Sequence, residues 1–372
     1  MPGMWGELLT VLRFAYGRQG IYSTVAVCAE INQNPLPPGI RRGRLADLRF
    51  SLVGAGRVGT SLALWLLADG AELVTVAGRP GGRPLDPRLP PLPVRPFAEL
   101  NSAGEDLLLL TVADPALAEV AATLARRRQA AVVLHCSGPG DAALLAPLAA
   151  AGSAVGTLHP LRAFPAVLPA PAAGTFYGLD GDAAALALAG RLAAAWGGET
   201  VVVGGERRQL YHLAATLAAG GVTTVIAALS ELLSRAGLPA RLLEANLRLM
   251  DGALEASRAA AREAAAAGGE LDPLAFDRAI TGPAARGDEA TLIRQRAALA
   301  ALLPELLPLV AALQDEAWRR GQRLRGSAEP APGAPQKGVG PDESDRETSA
   351  ATAAKAISSA GEMPPVWDPE RE

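Results

Sequence analysis

The chain of 372 residues is poor in the side chains that most often do chemistry. It has two cysteines, Cys28 and Cys136, far apart and outside any metal-ligand spacing. That argues against a disulfide framework and a zinc site, and fits a reducing cytoplasm. It has two lysines, Lys337 and Lys355, both close to the C-terminal end. It has three histidines, His135, His159 and His212. A formal net charge of −3 gives no basic surface for nucleic acid. The 21 positions Leu210 to Ser230 hold no formally charged residue, which is enough length for a membrane span. Tyr211, His212, three threonines and two glycines interrupt that run, so it reads instead as a helix buried in a protein interior. At the N-terminus, Glu7, Arg13 and Arg18 break the apolar stretch that a signal peptide would need.

What is present is apolar: 49% hydrophobic against 20% charged residues, enough for a sizeable core. The length predicts two domains. Residues 1–46 form no clear unit, and are either a real extension or the product of an over-called start codon. Met1–Tyr22 could form a short amphipathic helix. From Leu48 onward short apolar strands alternate with helices. LRFSLV, ELVTVAG (72–78), DLLLLTVAD (106–114), AAVVLH and SAVGTLHP (153–160) read as strands. GTFYGLDG and GETVVVG complete a doubly wound parallel sheet within a Rossmann domain at 47–204. Seven prolines between 80 and 96 predict a long irregular loop. After Gly204 the strand patterns stop. Residues 205–325 read as an all-α domain, broken near 237–239, 267–273, 281–288 and the prolines at 304 and 308. Residues 326–372 are rich in proline, alanine, serine and acid, the composition of a disordered tail.

Gly54-Ala55-Gly56-Arg57-Val58-Gly59 follows an apolar strand and opens a helix. In that context a GxGxxG lets the backbone approach a pyrophosphate at a helix N-terminus. An NAD-preferring site would carry an acid at the end of the second strand. Here Arg79 stands there, suited to a 2′-phosphate, so NADP is expected over NAD. Val112-Ala113-Asp114 ends a central strand on the ligand edge, where Asp114 either meets a ligand or caps the next helix. His135 and His159 end two strands on that same edge, and His212 opens the helical part. Histidine can protonate a forming alkoxide near neutral pH, and the pattern leaves open which of the three does so. Cys136 lacks a basic neighbour in sequence that would make it a nucleophile.

The order GAGRVG, VAD, HCSG, LHPLRAF, QLYHLAA, TGPAARGD resembles the Rossmann-like oxidoreductases carrying the C-terminal domain of unknown function 2520. These are similar to pyrroline-5-carboxylate reductase, ketopantoate reductase and the β-hydroxyacid dehydrogenases. The resemblance spans about residues 48–320, and its most specific pieces are His159-Pro160 with Phe164, and Thr281-Gly282-Pro283 with Arg286-Gly287-Asp288. It implies a helical C-terminal domain of the 6-phosphogluconate dehydrogenase type, a homodimer through the helices, and no membrane partner. It implies NADP-dependent reduction of a small carbonyl, such as the 2-oxo acid 2-dehydropantoate, or of an imine, at the cleft between the domains. The site residues it suggests are His212, His159, His135 and Tyr211 for catalysis, with the glycine loop, Arg57, Val58, Arg79, Val112, Ala113, Asp114 and Ser137 for cofactor. Arg286, Arg208 and Arg162 are suggested for an acidic substrate group, although Arg286 and Arg162 could equally be ordinary arginines. Where the family pattern has lysine and asparagine around the Tyr-His pair, this chain has Arg208 and Gly220. Arginine keeps the charge but cannot release a proton near neutral pH. That departure keeps a second expectation alive, an NADP-binding sensor or scaffold with little catalysis.

Overall fold

The computed structural model describes residues 45–79, 85–100, 104–127, 130–266 and 273–327. The expectations for the two tails therefore fall outside the described residues, apart from a short turn at Leu45–Asp47 and the last helical residues.

Eight strands form one sheet: β1 (Arg49–Val53), β2 (Glu72–Gly78), β3 (Val94–Pro96), β4 (Leu107–Leu110), β5 (Val132–His135), β6 (Ala154–Pro160), β7 (Phe176–Gly181) and β8 (Glu199–Val202). Their order is β3-β2-β1-β4-β5-β6-β7-β8. All neighbours are parallel except β6 and β7, which are antiparallel. The strand order reverses between β1 and β4, which opens a crevice at their C-terminal ends. The proline-rich loop differs from expectation in one respect. Its last three residues pair with β2 as an edge strand, a position where a proline's missing N–H is tolerated.

The helices of this part are α1 (Arg57–Ala68), α2 (Leu117–Leu124), α3 (Ala146–Ala150) and α4 (Ala183–Ala195). They cover both faces of the sheet. Trp65, Tyr177 and Trp196 pack with Phe50, Leu52 and Leu134 on one face. Val53, Leu108, Leu110 and Val133 pack against α2 on the other. The four leucines of β4 are all buried, as a strand covered on both faces requires.

Beyond β8 the chain is helical: α5 (Arg207–Thr216), a π-turn (Leu217–Gly221), α6 (Val222–Arg235), α7 (Arg241–Ala266), α8 (Pro273–Asp277), α9 (Pro283–Arg286), α10 (Glu289–Leu302) and α11 (Leu307–Ser327). The described residues form two compact units. The first contains the sheet and continues to Gly252; the second contains Ala253–Glu263 and the helices from Pro273 onward, so α7 is divided between them. In the second unit buried Asp277 is held by Arg320 at 3.1 Å and by Arg323 at 2.9 and 3.1 Å. Arg325 caps α9 through the carbonyls of Ala284 and Ala285 at 3.0 and 2.7 Å.

The uncharged run from Leu210 is not interior in this chain. None of the most apolar stretch of Arg207–Arg235 is buried, although it is long and apolar enough to cross a membrane. Leu210 is 69% exposed, Leu213 52% and Leu217 63%. Sequence reasoning misplaced it because hydropathy reports that a surface must be covered, not whether its own fold covers it.

Candidate functional site

The glycine loop lies between β1 and α1. Gly54 has φ +95°, and a Cβ there would stand 2.9 Å from the Thr111 carbonyl, so both conformation and space demand glycine. The Thr111 hydroxyl donates to the Gly54 carbonyl and holds the loop from below. Gly59 leaves room for that hydroxyl. No side chain caps the N-terminus of α1, and the space above Gly56 is open for 4 Å. A diphosphate fits such a cradle: free N–H groups, a positive dipole end and no Cβ in the way. Arg57 is exposed and donates to the Pro165 carbonyl at 3.2 Å. Arg79 is exposed at the end of β2, and Val112 and Ala113 follow β4 on the same edge. Asp114 is exposed and its side chain caps no helix, so that alternative does not hold.

The turn after β5 and the start of α5 bring the other residues together. Tyr211 and His159 are joined by a hydrogen bond between the phenol oxygen and Nδ1 at 2.8 Å. The rings of His159 and His212 stand edge to face, with centroids 6.0 Å apart. Both close on Gly138. A Cβ there would touch the His212 ring and lie 3.0 Å from His159 Nε2. Gly178 on β7 gives the Tyr211 hydroxyl similar clearance. Neither glycine was singled out from sequence, because their constraint comes from side chains distant in the chain.

The His159 pKa is pushed down to about 4, first by burial and then by the nearby charge of Arg208. Its imidazole is therefore neutral near pH 7, able to donate or accept a hydrogen bond but not to serve as a cationic acid. Burial raises the Tyr211 pKa, so the phenol keeps its proton. The Gly178 backbone lies close against its oxygen. A protonated phenol can donate to His159 Nδ1, and the imidazole proton then sits on Nε2. The His212 ring makes no hydrogen bond among the described residues.

Three expected site residues turn out to be committed to the fold. His135 is wholly buried. Its Nδ1 accepts from the Ser137 N–H at 3.2 Å and its Nε2 donates to the Asp141 carbonyl at 2.9 Å. Both ring nitrogens are used, and burial lowers its pKa, so it braces the turn and has no proton to give. Ser137 is buried and its hydroxyl accepts from the Gly140 N–H at 2.9 Å, shaping the same turn. Arg208 is buried and donates to three carbonyls: Gly138 and Ser137 at 3.1 and 3.0 Å, and Val203 at 3.0 Å. It also lies 5.8 Å from the Tyr211 ring centroid. It has no free face for a substrate. Cys136 is half-buried, and desolvation pushes its thiol pKa up to about 12, so it stays protonated near pH 7.

Arg162 and Tyr177 differ from these. Among the described residues, one Arg162 guanidinium nitrogen and the Tyr177 hydroxyl are buried without a hydrogen-bond partner. Arg286 is exposed on α9 in the second unit.

A glycine cradle at the switch point of a parallel sheet defines a dinucleotide-binding fold of the Rossmann class. Comparison with known families agrees. Residues 32–160 match the model of a Rossmann-like domain, and residues 175–316 match the Domain of unknown function (DUF2520). The chain therefore carries a Rossmann-like domain followed by a DUF2520 domain. No curated protein matches it significantly. Among solved structures, it is similar to a Bacteroides fragilis protein described as an NADP oxidoreductase. That match has 22% identity and a TM-score of 0.57 over 74% of this chain and 99% of the other. A Thermotoga maritima protein matches at 16% identity and a TM-score of 0.50, over 74% and 99%. A Plasmodium falciparum pyrroline carboxylate reductase with NADP bound matches at 12% and 0.47, over 74% and 99%. At such identities the first two likenesses are of fold alone.

Proposed function

We propose that the protein is an NADP-dependent oxidoreductase that reduces a small carbonyl compound, a 2-oxo acid such as 2-dehydropantoate, or an imine. The observation that carries this is the convergence of Tyr211, His159 and His212 on Gly138, in the same unit as the glycine cradle. The description of the Bacteroides protein as an NADP oxidoreductase supports it.

Gly54–Gly59 and the start of α1 would hold the diphosphate, and Arg79 would pair with the 2′-phosphate. When bound, NADPH supplies a hydride, with its electron pair, to the carbonyl carbon. His159, kept neutral and oriented by Tyr211, donates from Nε2 to the carbonyl oxygen and polarises it. His212, whose ring is uncommitted, delivers the proton that the product oxygen requires. Arg162, which has a buried nitrogen without a partner among the described residues, is the guanidinium group assigned to an acidic substituent.

The apolar face of α5 and α6 is assigned to a second copy of the chain. The hydroxyls of Thr216, Thr223 and Thr224 all turn back onto carbonyls four residues earlier, at 2.9 to 3.0 Å. The face is left lined by leucines and methyl groups, suited to an isologous helical interface.

The test is NADPH oxidation across a panel of 2-oxo acids and cyclic imines. Turnover that His212→Ala removes supports the reading. The scaffold reading is favoured by Arg208 being committed to carbonyls where the family has lysine. Tight NADPH binding with no oxidation of any panel member would establish it instead.

A further inference from the structure

The turn after β5 commits nearly all its polar groups. Ser137 uses its N–H on His135, its hydroxyl on Gly140 and its carbonyl on Arg208. The Gly138 carbonyl is held by Arg208 Nε and the Pro139 carbonyl by Gln209. The Asp141 carbonyl takes the His135 ring, and the Ala142 N–H donates to Asp180 at 2.8 Å. Gly138 is the buried exception. Its N–H makes no hydrogen bond among the described residues. An orphaned buried N–H is rare in a native protein and calls for a partner.

Its direction follows from the peptide geometry. The described peptide bonds are all trans, so the Gly138 N–H points opposite to the Ser137 carbonyl, which faces Arg208. Arg208 therefore sits behind the peptide, and the N–H leaves from the other side. The same residue has His212 and His159 against its Cα.

We propose that the Gly138 N–H is a backbone donor to the ligand oxygen that gains negative charge, and that Arg208 is the positioning residue that fixes its peptide plane. The proposal rests on the reductase reading and deepens it. A donor held by a buried guanidinium on two successive carbonyls needs no reorganisation as charge develops on the oxygen. It joins His159 Nε2 and His212 around one reacting atom. Glycine is required at 138 because the two rings occupy the space of a side chain, while the backbone supplies the donor. The arginine that replaces the family's lysine at 208 then acts by holding this amide, not by proton transfer.

The direct test replaces Gly138 by glycolic acid, so that an ester oxygen stands where the N–H was and no bulk is added. With a panel compound that the wild-type protein reduces, kcat is expected to fall about 100-fold, the size seen for a lost oxyanion donor, while the NADPH Kd is unchanged. An unchanged kcat overturns the proposal. So does a raised NADPH Kd with kcat retained at saturation, which would assign the amide to the cofactor. Arg208→Met is expected to lower kcat with little effect on KM, and Arg208→Lys to recover little, since an ammonium lacks the planar fork. A second readout needs neither turnover nor a variant that folds. The Gly138 amide proton of the wild-type protein loaded with NADP is expected to move downfield when oxamate is added. A resonance that does not move overturns the assignment. A wild-type protein that oxidises no NADPH defeats the reductase reading separately.

Discussion

His159 carries the clearest chemical signal of any single residue. Burial and the charge of Arg208 bring its pKa to about 4, and Tyr211 occupies its Nδ1. A neutral imidazole with one free N–H polarises a carbonyl well and protonates it poorly. In the proposed reaction His212 is left to deliver the proton. His212→Ala is therefore expected to lower kcat by about 100-fold or more, the usual contribution of a positioned acid, with NADPH affinity retained. Steady-state kinetics and cofactor fluorescence check the two halves. Tyr211→Phe removes only the hydroxyl that orients His159. It is expected to cost about 10-fold in kcat, the low end of a lost hydrogen bond of about 1.4 kcal/mol. Gly54→Ala would need φ +95° and a Cβ against the Thr111 backbone. A loss of about 1–3 kcal/mol in denaturant unfolding is expected, together with weaker NADPH binding.

At the scale of elements, the helical stretch from Arg207 to Arg235 has two jobs. Its first turns deliver Arg208, Tyr211 and His212 to the ends of β5 and β6. Its remaining surface carries exposed leucines and back-bonded threonines. Leu213→Glu with Leu217→Glu is expected to convert a dimer into a monomer, read by light scattering during gel filtration. A wild-type protein that is monomeric would defeat the assignment of this face. The strands of the parallel core were legible in sequence almost residue by residue, because each is a short apolar run bounded by turn residues. Strand β3 was not, since three residues on a sheet edge give no period to read.

For the whole molecule, His159 and His135 contribute to acid sensitivity because both have lowered pKa values. An exposed histidine titrates near 6.5 in the unfolded chain, whereas His159 titrates near 4 in the folded one. Between those values the unfolded chain binds a proton that the folded chain refuses. Stability is therefore complete above about pH 6.5 and falls as pH drops toward 4, by about 3 kcal/mol at most from this residue. His135 shifts in the same direction for the same reason and adds to the slope. The Asp277 carboxyl is held below its ordinary range by Arg323 and Arg320, so its contribution is lost only at lower pH. His159→Gln is expected to flatten the limb between pH 4 and 6.5 in thermal unfolding.

What the sequence alone determined was local. The glycine loop, the strand–helix alternation, the absence of lysine from the described residues and the placing of His135 and His159 at strand ends all follow from residues close together in the chain. Only the tertiary structure separated the three histidines. Nothing near His135 announces that Ser137 and Asp141 take both its nitrogens, and nothing near His159 announces Tyr211, 52 residues away. Arg208 looked like a substitute for a catalytic lysine until its three carbonyl partners were brought to it, two of them 70 and 71 residues away. Hydrogen-bond partners decide what a titratable group can do, and folding, not chain neighbourhood, selects those partners.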